Sequence, residues 1–144
     1  MKSHELKNFD FSKITSSHTS TGLLWLSTIS QKEKWCLTPK QQCEILGKLD
    51  FDTYQHWIDL ALNGSPVEMD EERLVFLSLL LKIHKLLDSL CPTNTDSSIL
   101  FKNLNSGDFL NGASIREYLL RDSSLDRYLE LTDYLEQISS ASYS

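Results

Sequence analysis

The segment from Asp70 to Cys91 places the strongest limit on the fold, because it predicts one long helix with two apolar faces. Asp70, Glu71 and Glu72 lie at its start, where the helix dipole favours negative charge. One stripe along the helix is formed by Phe76, Leu80, Ile83, Leu87 and Leu90, and a second by Leu74, Leu77 and Leu81. A helix that is apolar on two sides needs partners on both of them. We therefore expect an all-α fold, a compact multi-helix bundle built around this long central helix.

Other local signals also predict helices. Thr38 and Gln41 have the spacing of a capping box, and Gly47 ends the helix that they begin. Ser114 and Glu117 have the same spacing at a later helix start. No stretch shows a sustained alternation of apolar and polar residues, so the sequence predicts no strands.

The location of the chain is predicted from what its sequence lacks. The most apolar run, 74–81, is eight residues long, well short of the ~20 that a membrane-spanning helix requires. Residues 1–17 contain no apolar core of a secretory signal. Cys36, Cys43 and Cys91 match neither a disulfide framework nor a zinc-binding spacing. We therefore expect a soluble, cytoplasmic chain that does not cross a membrane.

The chain divides into four predicted segments with different charge. They are a disordered arm at 1–17, a first helical domain at 18–66, a second helical domain at 67–137 and a flexible tail at 138–144. Residues 1–64 carry seven Lys and seven Asp or Glu, whereas residues 65–144 carry seven Lys or Arg and thirteen Asp or Glu. All of the excess negative charge is therefore C-terminal. A surface of this sign repels phosphates and is better suited to a protein partner.

No group of residues predicts catalysis, a metal site or a cofactor site. His4, His18, His56 and His84 share no ligand spacing with one another or with the cysteines. The five glycines are scattered and form no phosphate-binding loop. The acidic run at 68–72 is accounted for by its place at a helix start. The sequence therefore predicts a protein that is not an enzyme.

Residues 38–62 have the layout of a helix-turn-helix. A short helix ends at Gly47, a turn follows around Asp50, and a second helix could enter the major groove of DNA. The residues expected to contact DNA are Thr53, Gln55 and His56 on the second helix and the nearby cations Lys40 and Lys48. The second helix itself carries acidic residues and no Lys or Arg. Simple core packing of a helical hairpin is therefore the alternative interpretation.

Three blocks of residues, taken in order, follow the pattern of one known family. The first block is Trp35, Leu37, Thr38, Leu46, Gly47, Thr53, Tyr54 and Trp57. The second block is Arg73, Leu79, Leu81, Ile83, Lys85 and Leu87. The third block is Asn105, Leu110, Gly112, Ser114, Glu117, Tyr134 and Leu135. With these blocks the chain resembles antitoxins of the Xre/MbcA/ParS group. The first block is similar to their Xre-like helix-turn-helix, the second to their central helix and the third to their toxin-binding domain.

The resemblance implies a type II antitoxin. Such a protein is a homodimer that binds and occludes a cognate toxin, here of the RES type that consumes NAD, and represses its own operon by binding DNA. Residues 18–66 would then form the helix-turn-helix domain and 67–137 the toxin-binding domain. The toxin-binding residues implied in this way are Phe101, Asn105, Leu110, Asn111, Gly112, Ser114 and Arg116. The alternatives are a helix-turn-helix regulator without a toxin and a helical dimerisation or adaptor module.

The chain also departs from the family pattern. The family often has Arg where His56 or its neighbours stand, Trp where Leu100 or Phe101 stands, and Pro where Leu104 stands. Without this Arg, the helix that would contact DNA lacks a cation that the family often has there. Toxin binding is therefore the better supported part of this expectation.

Overall fold

The computed structural model describes residues 16–91, 96–103, 107–110 and 112–143. This part of the chain contains eight helices and no strand, which confirms the predicted all-α fold. The helices are α1 (Ser16–Ile29), α2 (Pro39–Ile45), α3 (Phe51–Leu62), α4 (Glu71–Leu90), α5 (Ser98–Asn103), α6 (Gly107–Leu110), α7 (Ile115–Arg121) and α8 (Leu125–Tyr143). Within these ranges, no helix combines the length and apolar character needed to cross a membrane.

The long central helix α4 packs against α8, α1 and α5. Asp70 caps it by accepting a hydrogen bond from the backbone N–H of Arg73 at 3.3 Å. The buried side chains of α4 are Val75, Phe76, Leu77, Leu79, Leu80, Ile83 and Leu87. Leu74 and Leu81, from the second predicted stripe, are half-buried. The prediction that this helix is covered on more than one side is therefore confirmed.

Helix α1 lies against α3 and α4. The Thr19 hydroxyl donates to the carbonyl of Val67 at 2.7 Å, which fastens α1 to the segment between α3 and α4. Gly22 allows a close approach to α4, because a Cβ atom there would lie 2.8 Å from Cδ2 of Leu77. These contacts place α1 between the helical hairpin of α2 and α3 and the central helix.

One hydrophobic core includes residues from both predicted helical domains. Leu23 and Trp35 belong to the first of them and Leu80, Leu119 and Tyr128 to the second, and all five are fully buried in the same cluster. Residues on both sides of the boundary predicted near residue 66 therefore pack in one cluster, and the boundary itself stays a prediction.

Both predicted ends of the helical region are shifted. Helix α8 continues to Tyr143, so residues 138–143, which were predicted to be a flexible tail, are helical. Ile138 packs on the core, and the hydroxyl oxygen of buried Ser139 lies 3.3 Å from that of Ser89. At the other end α1 begins within the predicted arm, at Ser16. Residues 1–15 and 144 lie outside the described residues.

Cys36, Cys43 and Cys91 are free thiols. Cys43 is buried, and Cys36 and Cys91 are half-buried. Burial raises the pKa of the Cys43 thiol to about 11, and the nearby Asp50 carboxylate adds to the effect. A thiol in this state remains protonated at neutral pH and behaves as a small apolar group.

Candidate functional site

The helical hairpin formed by α2 and α3 is the first candidate site. Thr38 begins α2 with a complete capping box: its hydroxyl oxygen accepts from the N–H of Gln41 at 3.1 Å, and the Gln41 side-chain oxygen accepts from the N–H of Thr38 at 2.9 Å. Gly47 turns the chain after α2 with a φ of 83°. Asp50 then caps α3, which begins at Phe51. The predicted order of short helix, turn and second helix is therefore present in residues 38–62.

The five residues predicted to contact DNA lie on this hairpin and differ in exposure. Lys40, Lys48 and His56 are exposed, whereas Gln55 is half-buried. Thr53 is also half-buried, and its hydroxyl donates to the capping carboxylate of α3 at 3.2 Å. The two lysines line a shallow depression of about 260 Å³ beside α2. Lys40 lies in α2 and Lys48 in the turn after it, so the positive charge of the hairpin is not on the helix expected to contact bases.

The outer face of α3 is acidic. Asp52, His56 and Asp59 are exposed, and their spacing of four and three residues places them on one side of the helix. Helix α3 contains no Lys or Arg. Because carboxylates repel the phosphate backbone, this face is poorly suited to contact DNA.

Arg116 ties α7 to the beginning of α2. Its Nε atom donates to the carbonyl of Cys36 at 3.0 Å, and its Nη2 atom donates to the side-chain oxygen of Gln41 at 3.1 Å. The carbonyl of Cys36 belongs to a residue with a φ of 56°, a conformation that is uncommon without glycine. Arg116, which was predicted to bind the toxin, therefore uses at least two of its donors inside the molecule.

Two further side chains hold the other end of α2. Arg73 donates from Nη1 to the carbonyl of Gly47 at 2.9 Å, and the hydroxyl of Tyr128 donates to the carbonyl of Ile45. Carbonyls at a helix end have no partner within the helix, so these bonds satisfy groups that burial would otherwise penalise. Burial raises the pKa of Tyr128 well above its ordinary value, which keeps the hydroxyl protonated as a donor. The hairpin is thus held from α4, α7 and α8.

Two residues predicted to bind the toxin lie in the hydrophobic core. Phe101 has 0% of its surface exposed and Leu110 has 2%. The ring of Phe101 stacks on that of Trp35, with centroids 3.9 Å apart and an angle of 4° between the planes. A side chain without exposed surface makes no direct contact with a partner in this conformation. The contact role expected for Phe101 and Leu110 is therefore corrected to a packing role.

The turn before α7 is shaped by Gly112 and Ser114. Gly112 is exposed and has a φ of 83°, which favours glycine. The Ser114 hydroxyl oxygen accepts a hydrogen bond from the N–H of Glu117 at 3.1 Å. In return, the Glu117 carboxylate accepts one from the N–H of Ser114 at 2.9 Å. The bond from the Ser114 N–H lowers the pKa of Glu117. The predicted capping box is confirmed, and the buried Ser114 acts as a cap. Asn105 and Asn111 lie outside the described residues.

An acidic stripe runs along the exposed side of α8. Asp126, Glu130, Asp133 and Gln137 have spacings of four, three and four residues, which place them on one side of the helix. All are exposed except Asp133, which is half-buried. The helical spacing of these residues is visible in the sequence, but the sequence does not show which side of the helix is exposed. We refer to these four residues, of which only Gln137 is uncharged, as the acidic stripe of α8.

Asp96 is expected to titrate at unusually low pH. Its carboxylate accepts a hydrogen bond from Nζ of Lys34 at 2.8 Å and another from the N–H of Ser98 at 2.9 Å. These bonds hold the pKa of Asp96 at about 2, and the bond from Lys34 has the larger effect. Since the folded state favours the charged form, the resulting stability is present above a pH of about 4 and is lost as pH falls towards 2. Carboxyl NMR titration should give this low midpoint in the wild type.

A Lys34→Gln variant tests the cause of that shift. The midpoint of Asp96 should move up towards the ordinary value of 3.8, because the main stabilising donor is removed. Lys32→Gln is the matched control, since Lys32 is an exposed lysine two residues away. An unchanged midpoint in Lys34→Gln would show that the lysine is not the cause.

The fold and these contacts define the class of molecule: an all-helical chain whose helical hairpin is tied to a second group of helices. Comparison with protein-family models, with curated proteins and with solved structures finds no match. Among the described residues, no group of three or more His, Cys, Asp and Glu side chains could hold a metal ion. A proposal about its function therefore rests on the sequence pattern, the charges and the contacts of its own residues.

Proposed function

We propose that this chain is the antitoxin of a type II toxin–antitoxin pair. It binds a cognate toxin of the RES type in the cytoplasm, and helices between residues 95 and 137 cover the NAD cleft of the toxin. Inhibition in this way is steric, so the antitoxin is not an enzyme and needs no cofactor. The proposal starts from the three ordered blocks of residues that resemble the Xre/MbcA/ParS group.

The observation that carries the proposal is the acidic stripe of α8. It lies in the part of the chain that resembles the toxin-binding domain, and Asp126 and Glu130 expose their side chains. A surface patch of one sign attracts a partner patch of the opposite sign and speeds the encounter. We therefore assign the acidic stripe to contact with a basic surface of the toxin.

The ties between the two groups of helices support a docking role. Arg116, Tyr128 and Arg73 hold the α2 region from three different helices. A surface that is already ordered loses less conformational freedom when it binds. The helices α7 and α8 would thus present a rigid surface to the toxin.

Co-expression with the product of the adjacent open reading frame tests this function. The chain should restore growth and co-purify with that product. The double variant Asp126→Lys and Glu130→Lys should weaken the complex about tenfold or more, because like charges would then face the basic surface. The double variant Asp52→Lys and Asp59→Lys makes the same change of charge on α3 and should leave the complex intact.

Two results would contradict the proposal. If the chain neither restores growth nor co-purifies with the adjacent product, it is not the antitoxin of that protein. If the α8 and α3 double variants weaken the complex equally, the acidic stripe does not determine binding. A chain that binds neither toxin nor DNA would be the helical adaptor of the alternative interpretation.

Repression of its own operon by a homodimer is the second part of the proposal. Lys40 and Lys48 are exposed on the hairpin and provide cations for phosphate contacts. We expect a band shift on the upstream DNA at low salt that is lost when both lysines are changed to alanine. Changing Asp52 and Asp59 to asparagine should strengthen the shift, because it removes repulsion. No shift at low salt would rule out this part of the proposal.

A further inference from the structure

A cavity of about 550 Å³ opens between α1, α4 and the residues before α5. The lining residues that carry its chemistry are Trp25, Lys34, His84, Asp88 and Asp96. This volume lies in the range of pockets that bury small ligands, roughly 300–1,000 Å³. None of the lining residues belongs to α8, so the cavity is separate from the acidic stripe.

Trp25 provides an aromatic wall for this cavity. Its ring centroid lies 5.5 Å from that of His84 and 5.5 Å from that of Trp35. Trp35 is fully buried, whereas Trp25 is half-buried. The indole of Trp25 is therefore held by neighbouring rings while part of its surface lines an open cavity. Indole faces in such positions attract cations.

The charges around the cavity leave a net negative charge. Lys34 and Asp96 pair at 2.8 Å and cancel each other. The Asp88 carboxylate lies 3.4 Å from Nε2 of His84, which carries a charge only when it is protonated. Among the described residues, no Lys or Arg lies within ion-pair distance of Asp88. The cavity therefore favours a cationic occupant.

The hydrogen-bonding groups favour an occupant with several donors. The Asp88 carboxylate is exposed, and its two oxygens can accept from several donors at once. A guanidinium offers five donors and no acceptor, and its plane stacks on an indole, whereas an ammonium has only three donors on a single point charge.

We propose that this cavity receives an arginine side chain of the partner protein. The guanidinium stacks on Trp25 and forms an ion pair with Asp88 at the rim. This inference rests on the proposed function, because it assigns a specific contact to the toxin. It also adds a second anchor at the beginning of the 95–137 segment, since Asp96 lines the cavity.

The first test uses N-acetyl-arginine methylamide as the probe and the full chain. The indole N–H signal of Trp25 in proton–nitrogen NMR spectra should shift and saturate, with a dissociation constant on the order of millimolar. The lysine analogue should bind more weakly, and the uncharged norleucine analogue should cause no saturable shift. Asp88→Asn should weaken binding of the arginine probe by about threefold or more. Asp59→Asn, at an exposed aspartate of α3 outside both the cavity and the acidic stripe, is the control and should leave it unchanged.

Two results of the titration would overturn the inference. One is the absence of a saturable shift with the arginine probe. The other is an equal response to the arginine and norleucine probes, since an apolar cavity would then explain the binding. A stronger response to the lysine probe would also contradict the assignment of a guanidinium.

The second test separates this inference from the proposed function. Asp88→Asn is introduced into the co-purification with the adjacent product and should reduce the amount retained. If the wild type forms the complex and Asp88→Asn retains it fully, the inference is wrong and the proposed function stands. If the wild type itself forms no complex, the proposed function fails. In that case a saturable shift with the arginine probe that depends on Asp88 still supports the cavity as a guanidinium site.

Discussion

Replacing Gly47 with alanine is expected to lower the free energy of unfolding by about 2–5 kcal/mol. Gly47 has a φ of 83°, and an added Cβ atom would lie 2.5 Å from Cε2 of Phe76. The left-handed backbone costs a residue with a side chain roughly 1–2 kcal/mol, and overpacking against a buried ring adds about 1–3 kcal/mol. Phe76 is 3% exposed and meets the ring of Tyr128 edge to face at 5.1 Å, so it has little room to move.

Gly64→Ala is the matched control for this prediction. Gly64 has a similar φ of 75°, but no atom lies within 4 Å of an added Cβ. Only the backbone cost remains, roughly 1–2 kcal/mol. Urea denaturation of the two variants measures the difference in their free energies of unfolding, when the same dependence of the free energy on urea concentration is used for both. Equal losses in both variants would show that Phe76 does not oppose a side chain at residue 47.

The helix starts could be predicted because their chemistry is local. Thr38, Asp70 and Ser114 each accept a hydrogen bond from a backbone N–H three residues later, so the pattern is contained in four residues of sequence. The long α4 helix could be predicted for a similar reason, since its two apolar stripes recur at helical spacing between Leu74 and Leu90. Local patterns of this kind specify elements, and they carry no information about which elements meet.

The ties that hold the hairpin could not be predicted from the sequence. Arg116 and Cys36 are 80 residues apart, and Tyr128 and Ile45 are 83 residues apart. An Arg in a predicted toxin-binding helix fits a surface role and an internal role equally well until its partners are known. The carbonyl of Cys36 is a backbone group, so no residue type in the sequence identifies it as an acceptor.

The same limit explains the correction at Phe101. Ile99, Leu100 and Phe101 are consecutive apolar residues, and successive residues of a helix point in different directions. Helix α5 contains only six residues, too few for periodicity to show which side is buried. The buried side is determined by Trp35, whose ring lies against Phe101.

The site on α8 differs from these cases. The spacing of Asp126, Glu130 and Asp133 was present in the sequence, and only the exposure of that side of the helix needed the structure. Charge on α3 could be judged in the same way, because that helix contains acidic residues and no cation. The charge pattern of a single helix can therefore be read from the sequence, whereas the exposure of each of its sides cannot.

Changing Phe101 to alanine is expected to lower the free energy of unfolding by about 3–5 kcal/mol, because a fully buried ring and its stacking contact with Trp35 are lost. Ile99→Ala, in the same helix, removes a side chain that is 50% exposed and should change stability by no more than about 0.5 kcal/mol. Thermal and urea denaturation measure both. Since Phe101 has no surface to offer, the affinity of its variant for the toxin should fall only in proportion to the folded fraction. If the fully folded variant binds the toxin more weakly than the wild type, Phe101 contributes to the contact surface after all.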